Sequence, residues 1–242
     1  MQERKVITMI THYIGIDAHT TNYTLSTATD FEEKPYNTNK YGAQLHYILK
    51  YANALCKKDK IQKENILLGY EAGCLGFKLQ RDLNKEGFNC VVIAPSSIPG
   101  TEMNRKRKKK TDYRDAEAIA KALRNDDYSA VATPDEQDEA IRDYIHERDA
   151  QKKCLKAIKQ RIGALCNRQG LKYDGGYWTK KHIDWLKHLS FPNEIFKSVL
   201  ETQLLEFEHV TEKIEEMDRK IDEFAEMDKY RESVHKLTCF KG

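Results

Sequence analysis

The chain has 242 residues, 40% hydrophobic, 33% charged and 10% aromatic, with a formal net charge of +3; these are the proportions of a globular protein in one large or two modest domains, not of a disordered or fibrous chain. The six cysteines, at 56, 74, 90, 154, 166 and 239, form no CxxC pair and have no clustered His partner, so they read as reduced, small hydrophobes and not as a structural zinc site. No stretch approaches a membrane span and the first residues lack the apolar core of a signal peptide, which makes a cytoplasmic setting the expectation.

The charge is uneven. Residues 1–130 carry 21 Lys and Arg against 16 Asp and Glu, whereas residues 131–242 carry 20 against 22. The first half therefore has the better claim on a polyanion.

In chain order, "HYIGIDA" (12–18) is an apolar strand ending in a carboxylate, and "NYTLSTA" (22–28) follows closely enough to pair with it as a hairpin. Leu45, Ile48, Leu49, Ala52 and Leu55 form a helical stripe. "NILLGYEAG" (65–73) predicts a buried strand ending at Glu71. "CLGFKLQRDLNKEG" (74–87) predicts a helix stopped by Gly87, and "FNCVVIAPS" (88–96) another buried strand. After a loop over 96–110, a helix runs from Asp112 to about Asn125. Strands interleaved with helices predict a mixed α/β sheet with flanking helices.

The second half changes character. A long helical segment follows Pro134, with apolar positions at 141, 144/145, 155, 158, 162 and 165. A looser segment follows it. From Glu194 a heptad appears, Leu200, Phe207, Ile214 and Ile221 on one seam and Val210, Met217 and Phe224 on the other, which predicts a coiled coil. The two long helices could fold back antiparallel or pair with a second chain, and a plain helical bundle is the alternative. The predicted division is 1–130, an α/β domain, and 131–237, an all-α region.

Four carboxylates stand out by position. Asp17 and Glu71 each end an apolar strand, so neighbouring strands would bring both to one sheet edge. Asp112 and Asp115, at i and i+3, share a helical face with Cβ atoms roughly 5–6 Å apart. Gathered together, four acids repel one another and raise their own pKa values. Divalent cations resolve the conflict, and a pair of Mg²⁺ ions about 3.5–4 Å apart serves phosphoryl transfer. Blander roles exist for each: an Asx turn for Asp17, helix capping for Glu71, and complement to the helix dipole for the two aspartates.

The run Arg105, Lys106, Arg107, Lys108, Lys109, Lys110 lies directly before Asp112. It could be a solvated loop, or it could bring nucleic-acid phosphates to a site that otherwise repels them. Tyr113 and Arg114 could grip the same substrate or be surface residues. His19, two beyond Asp17, is either a proton shuttle or structural.

At these residues a family comes into view. "YIGIDAHTTNYTLST", "GYEAG", "VVIAPSSIP" and "KKKTDYRDAEAIAKAL", in this order and spacing, resemble the DEDD transposases of the insertion-sequence 110/1111 family, and the similarity continues through the helical region to "LTCFKG". The resemblance implies a RuvC-like, ribonuclease-H-like domain followed by a coiled-coil dimerisation region. Its D-E-D-D set is matched by Asp17, Glu71, Asp112 and Asp115 and would bind Mg²⁺. It implies a recombinase acting on DNA, guided by a structured (bridge) RNA, with dimers assembling into a tetramer. It further implies a C-terminal domain that supplies a serine nucleophile. Residues 238–242 are read as the start of that domain, so this chain alone is expected to be incomplete for strand exchange, and none of its serines is assigned the role.

Two rival functions stand beside this one. "GIDAHTTN" also resembles the phosphate-binding hairpin of actin-like ATPases, although no second Gly-rich phosphate loop follows. The other rival is a non-catalytic RNA-binding and dimerisation module whose carboxylates are structural.

Overall fold

A computed structural model describes residues 9–73, 75–98 and 111–239. Contacts divide the chain between Pro134 and Asp135 into two units.

The first unit is built on five strands: β1 (His12–Ala18), β2 (Asn22–Thr29), β3 (Tyr36–Gly42), β4 (Ile66–Glu71) and β5 (Asn89–Ile93). Their order is β3-β2-β1-β4-β5. β2 runs antiparallel to β1 and β3, while β4 is parallel to β1 and β5 to β4. This mixed sheet, a three-stranded meander extended by two parallel strands, is the ribonuclease-H-like arrangement expected. Helices α1 (Leu45–Asp59) and α2 (Lys78–Lys85) provide the crossovers before β4 and β5, and α3 (Asp112–Arg124) follows β5. After α3 the chain returns antiparallel along β5: the Ala94 N–H donates to Ser129 and the Val131 N–H to Val92. That return covers a sheet edge that would otherwise be open to pairing.

One face of the sheet packs Ile14, Ile16, Leu25, Leu68 and Tyr70 against Ile48, Tyr51, Ala52 and Leu55 of α1 and Leu79 and Leu83 of α2. The other packs Tyr13, Leu67, Val91 and Ile93 against Ile119, Ala122 and Leu123 of α3. Two local departures from expectation have clear causes. α2 begins at Lys78 and not at residue 74, because Gly76 (φ +59°) sits in a turn closed by its N–H to the Gly73 carbonyl. β3, "YNTNKYG", escapes the apolar-strand criterion because it is a polar, half-exposed edge strand. Gly87, with φ +86°, ends α2 as its sequence position predicts.

The second unit comprises α4 (Glu136–Arg168), α5 (Lys180–Lys187), α6 (Glu194–Ala225) and α7 (Asp228–Thr238). The Asp135 carboxylate caps α4 by accepting from the Asp138 N–H, and Asn193 caps α6 by accepting from the Ile195 N–H. α4 and α6 pack antiparallel: Tyr144 meets Phe224 at 5.3 Å between ring centroids, Arg148 pairs with Asp218, and Arg161 with Glu206. Their seam buries Ile158, Ile162, Leu165, Leu200, Leu204, Phe207, Val210 and Ile214, so the heptad faces the partner helix of the same chain. The looser segment between them contains α5, whose Leu186 and His182 are buried. No described helix is long and apolar enough to cross a membrane.

Candidate metal centre

Alternation along a strand decides which side chains share a face. On β1, Tyr13 faces α3, so Gly15 and Asp17 do as well; on β4 the same holds for Leu67, Gly69 and Glu71. Gly15 and Gly69 are cross-strand partners, and α3 descends on both. A Cβ on Gly15 would stand 2.2 Å from the Ala116 carbonyl oxygen and 2.4 Å from the Ala120 nitrogen; one on Gly69 would stand 2.9 Å from Leu123 Cδ2. Glycine inside a strand ordinarily weakens it, but here the missing Cβ lets helix backbone lie directly on the sheet. The first turn of α3, one turn before Ala116, is thereby held beside the end of β1.

The result is a compact acidic group. Asp17, His19 and Asp112 offer ligand atoms that all lie within 4.8 Å of one another. His19 Nε2 is 3.1 Å from Asp17 Oδ2 and 3.8 Å from Asp112 Oδ1. The β1–β2 turn positions His19, whose N–H donates to the Asn22 carbonyl. The Asp17 side chain is 14% exposed and that of Asp112 35%.

A cation that the sequence did not announce joins them. Lys40 Nζ donates to Asp112 Oδ2 at 2.6 Å. Lys40 pairs with Thr24 across β3–β2, and Thr24 with Asp17 across β2–β1. The three side chains therefore form one row on the α3 face. The hydrogen bond from Lys40 holds the Asp112 carboxyl below the ordinary carboxylate range, with the nearby His19 adding to the effect, and the same bond raises Lys40 above the usual lysine value. The alternation of "YNTNKYG" was the available signal for Lys40, once that segment is recognised as a strand.

Of the four expected acids, Asp17 and Asp112 come together. Glu71 ends β4 on the same face, and Asp115 lies in the first turn of α3, on the helical stripe that continues through Ile119 and Leu123 toward β4 and β5. Neither belongs to the 4.8 Å group. Arg114 and Tyr113 are exposed between the two aspartates. The expected basic run, Arg105 to Lys110, lies outside the described residues.

The donor set suits a divalent cation. Two carboxylates this close repel each other unless positive charge intervenes, and carboxylate oxygens are the ligands that hard cations take. Thr24 Oγ1, in the row between Lys40 and Asp17, is buried and meets no polar partner among the described residues. Such orphaned hydroxyls are uncommon and are ordinarily satisfied by an ordered water or an ion.

Residues 14–168 match the transposase family model of the DEDD, IS110 type. The transposase for insertion sequence element IS1533 of Leptospira borgpetersenii is 33% identical over 233 residues, an alignment that covers 95% of this chain and 65% of that protein. The chain thus spans a little under two thirds of the length of this relative. Among solved structures, Thermus thermophilus RuvC, alone and in complex with a Holliday junction substrate, is similar at a TM-score of 0.34. Identity is 14% and 11% respectively, with 50% of this chain and 99% of RuvC covered in each case.

Proposed function

The chain belongs to the DEDD transposase family of the IS110 type, and from that premise we propose that it is the metal-binding and helical part of a DNA transposase that cuts and exchanges strands. Asp17 and Asp112 would hold Mg²⁺ at the sheet edge, with Glu71 and Asp115 completing the set from β4 and the same helix turn. Bound there, the ion would supply Lewis-acid polarisation of a phosphodiester. The protein's own contribution is placement: β1 and the glycine-cushioned α3 fix two carboxylates, and the β1–β2 turn sets His19 where it can take or give a proton at Nε2. Lys40 neutralises Asp112 and offers a phosphate a positive partner on the same face.

Beyond this chain, the reading follows the family resemblance. Residues 1–130 act as the RuvC-like domain and 131–237 as the dimerisation region, within a dimer that assembles to a tetramer around DNA and a guide RNA. On that reading residues 238–242 begin a serine domain that would supply the nucleophile. The observation that carries the reading is the convergence of Asp17 and Asp112, 95 positions apart in the sequence, on one small volume. A second reading, a binding module with structural carboxylates, draws support from the Lys40–Asp112 ion pair, which satisfies one acid without a metal.

Calorimetric titration of Mg²⁺ separates the two. The transposase reading expects Asp17→Ala and Asp112→Ala each to weaken divalent binding at least about a hundredfold while the folded circular dichroism spectrum is kept, and each to abolish transposition by the complete protein. Mg²⁺ affinity unchanged in both variants would leave the module.

A further inference from the structure

Charge is not spread evenly along the helical unit. Residues 152–191 carry ten Lys and Arg against two Asp and Glu, a net of +8, whereas 135–151 carry two against seven and 192–242 carry eight against thirteen. Both tryptophans of the chain, Trp178 and Trp185, fall in the same basic stretch. Cations interleaved with aromatic rings are what a single nucleic-acid strand requires, phosphates meeting the cations and bases meeting the rings. Trp178 and Trp185 also pack on the helical unit's own core, which leaves Tyr177 as the ring exposed to a ligand.

The fold draws those rings into one place. Tyr173, Tyr177, Trp178 and Trp185 surround His182, with centroid distances of 4.9, 4.9, 5.1 and 5.7 Å. Beside them is a cavity of about 200 Å³, whose lining includes the buried Ile162 and Leu186. Liquid water occupies about 30 Å³ per molecule, so this is room for one planar heterocycle. It is less than the roughly 300 Å³ at which pockets for drug-sized ligands begin.

His182 gives the cavity a polar group of defined character. It is 3% exposed, and its Nδ1 accepts a hydrogen bond from the Trp178 N–H at 3.0 Å. Burial lowers its pKa, which keeps the ring neutral and leaves the proton on Nε2. No protein group among the described residues accepts a hydrogen bond from Nε2, so its N–H is free to meet a ligand or water at the cavity. Trp178 adopts φ +65°, unusual for a bulky residue, and is held there by stacking on Phe207 at 5.4 Å with the Lys159 ammonium 5.3 Å from its ring. Tyr177 is 60% exposed and forms the rim. Arg161 and Lys187 are paired with Glu206 and Glu208, whereas Lys172, Lys180 and Lys181 are exposed beside the cavity-lining positions in the chain.

We infer that this cavity receives one base of a single-stranded nucleic acid, stacked on Tyr177 with an acceptor on its edge meeting His182 Nε2–H, while the flanking phosphates lie against Lys172, Lys180 and Lys181. The site belongs to the helical unit and does not depend on the carboxylate reading.

Because Trp178 and Trp185 are the chain's two tryptophans, emission of the full chain excited beyond the tyrosine absorption band reports on this cluster. Oligouridylate and oligothymidylate of equal length, added at near-physiological salt, are the probes. Quenching by either supports the inference, and the stronger of the two identifies the preferred sugar. Tyr177→Ala removes an exposed ring and is expected to weaken binding about tenfold, the loss of one stacked base, with the thermal melt unchanged. Lys180→Glu combined with Lys181→Glu is expected to weaken it at least as much and to flatten its salt dependence. Three results overturn the inference: binding seen by anisotropy without quenching by either oligomer, equal quenching by polyglutamate, or wild-type affinity in Tyr177→Ala.

Discussion

The two units concentrate charge of opposite sign and by different means. At the sheet edge the charged residues are remote in sequence, and backbone packing forces them together. In the helical unit the cations are neighbours in sequence, within residues 152–191, and the fold's task is to gather rings beside them. The acidic site therefore depends on the fit of α3 to the sheet, whereas the basic site depends on local composition. A small change in packing should abolish the first and leave the second intact.

Gly15→Ala makes the sharpest break. The new Cβ would meet helix backbone at 2.2 and 2.4 Å, so α3 must lift, at a cost of about 3 kcal/mol from overpacking. Urea denaturation should register that loss, and Mg²⁺ binding should fall with it, while tryptophan quenching by oligonucleotides below the unfolding transition stays as in wild type. Equal loss of both activities in the folded variant would erase the distinction between the units.

A smaller effect of opposite sign is expected at Lys40. Lys40→Met removes the ammonium that competes for Asp112, so divalent affinity measured without nucleic acid should rise by about threefold to tenfold. A fall would mean that Lys40 supports the cation site and does not compete with it.

The smallest effect is on stability against pH. The folded pKa of Asp112 is depressed, so its contribution is present above the ordinary carboxylate pKa and is lost as pH falls through the depressed value. The folded pKa of Lys40 is raised, so its contribution is present below the ordinary lysine pKa and is lost as pH rises through the raised value. The stability difference between wild type and Lys40→Met should therefore be flat between about pH 5 and 9 and shrink toward both ends. It should be small throughout, because the pair is solvent-exposed.

The places of the four carboxylates on their elements were legible in the sequence, because strands that end in carboxylates and a helix that begins with two aspartates are local patterns. The order in which β1 and β4 pair could only be supposed, and the pairing of Gly15 with Gly69 is what makes the supposition work. Two glycines in apolar strands carry no visible instruction until a helix is laid across them. Lys40 was missed because β3 is polar and presents no apolar stripe. The basic stretch of the helical unit was hidden for a different reason: averaged over residues 131–242, its +8 is cancelled by acidic segments on either side. Charge counted over a whole region conceals segregation within it. The short helix α5 and the aromatic cluster were likewise lost in a segment that reads as loose because of its glycines.

Paramagnetic broadening by Mn²⁺ tests the central claim most directly. With the side-chain carboxyl carbons labelled, substoichiometric Mn²⁺ should broaden Asp17 and Asp112 first, Glu71 and Asp115 next, and the glutamates of α6 little. Broadening that begins on α6, or that spares Asp17 and Asp112 at a full equivalent of metal, would contradict the account.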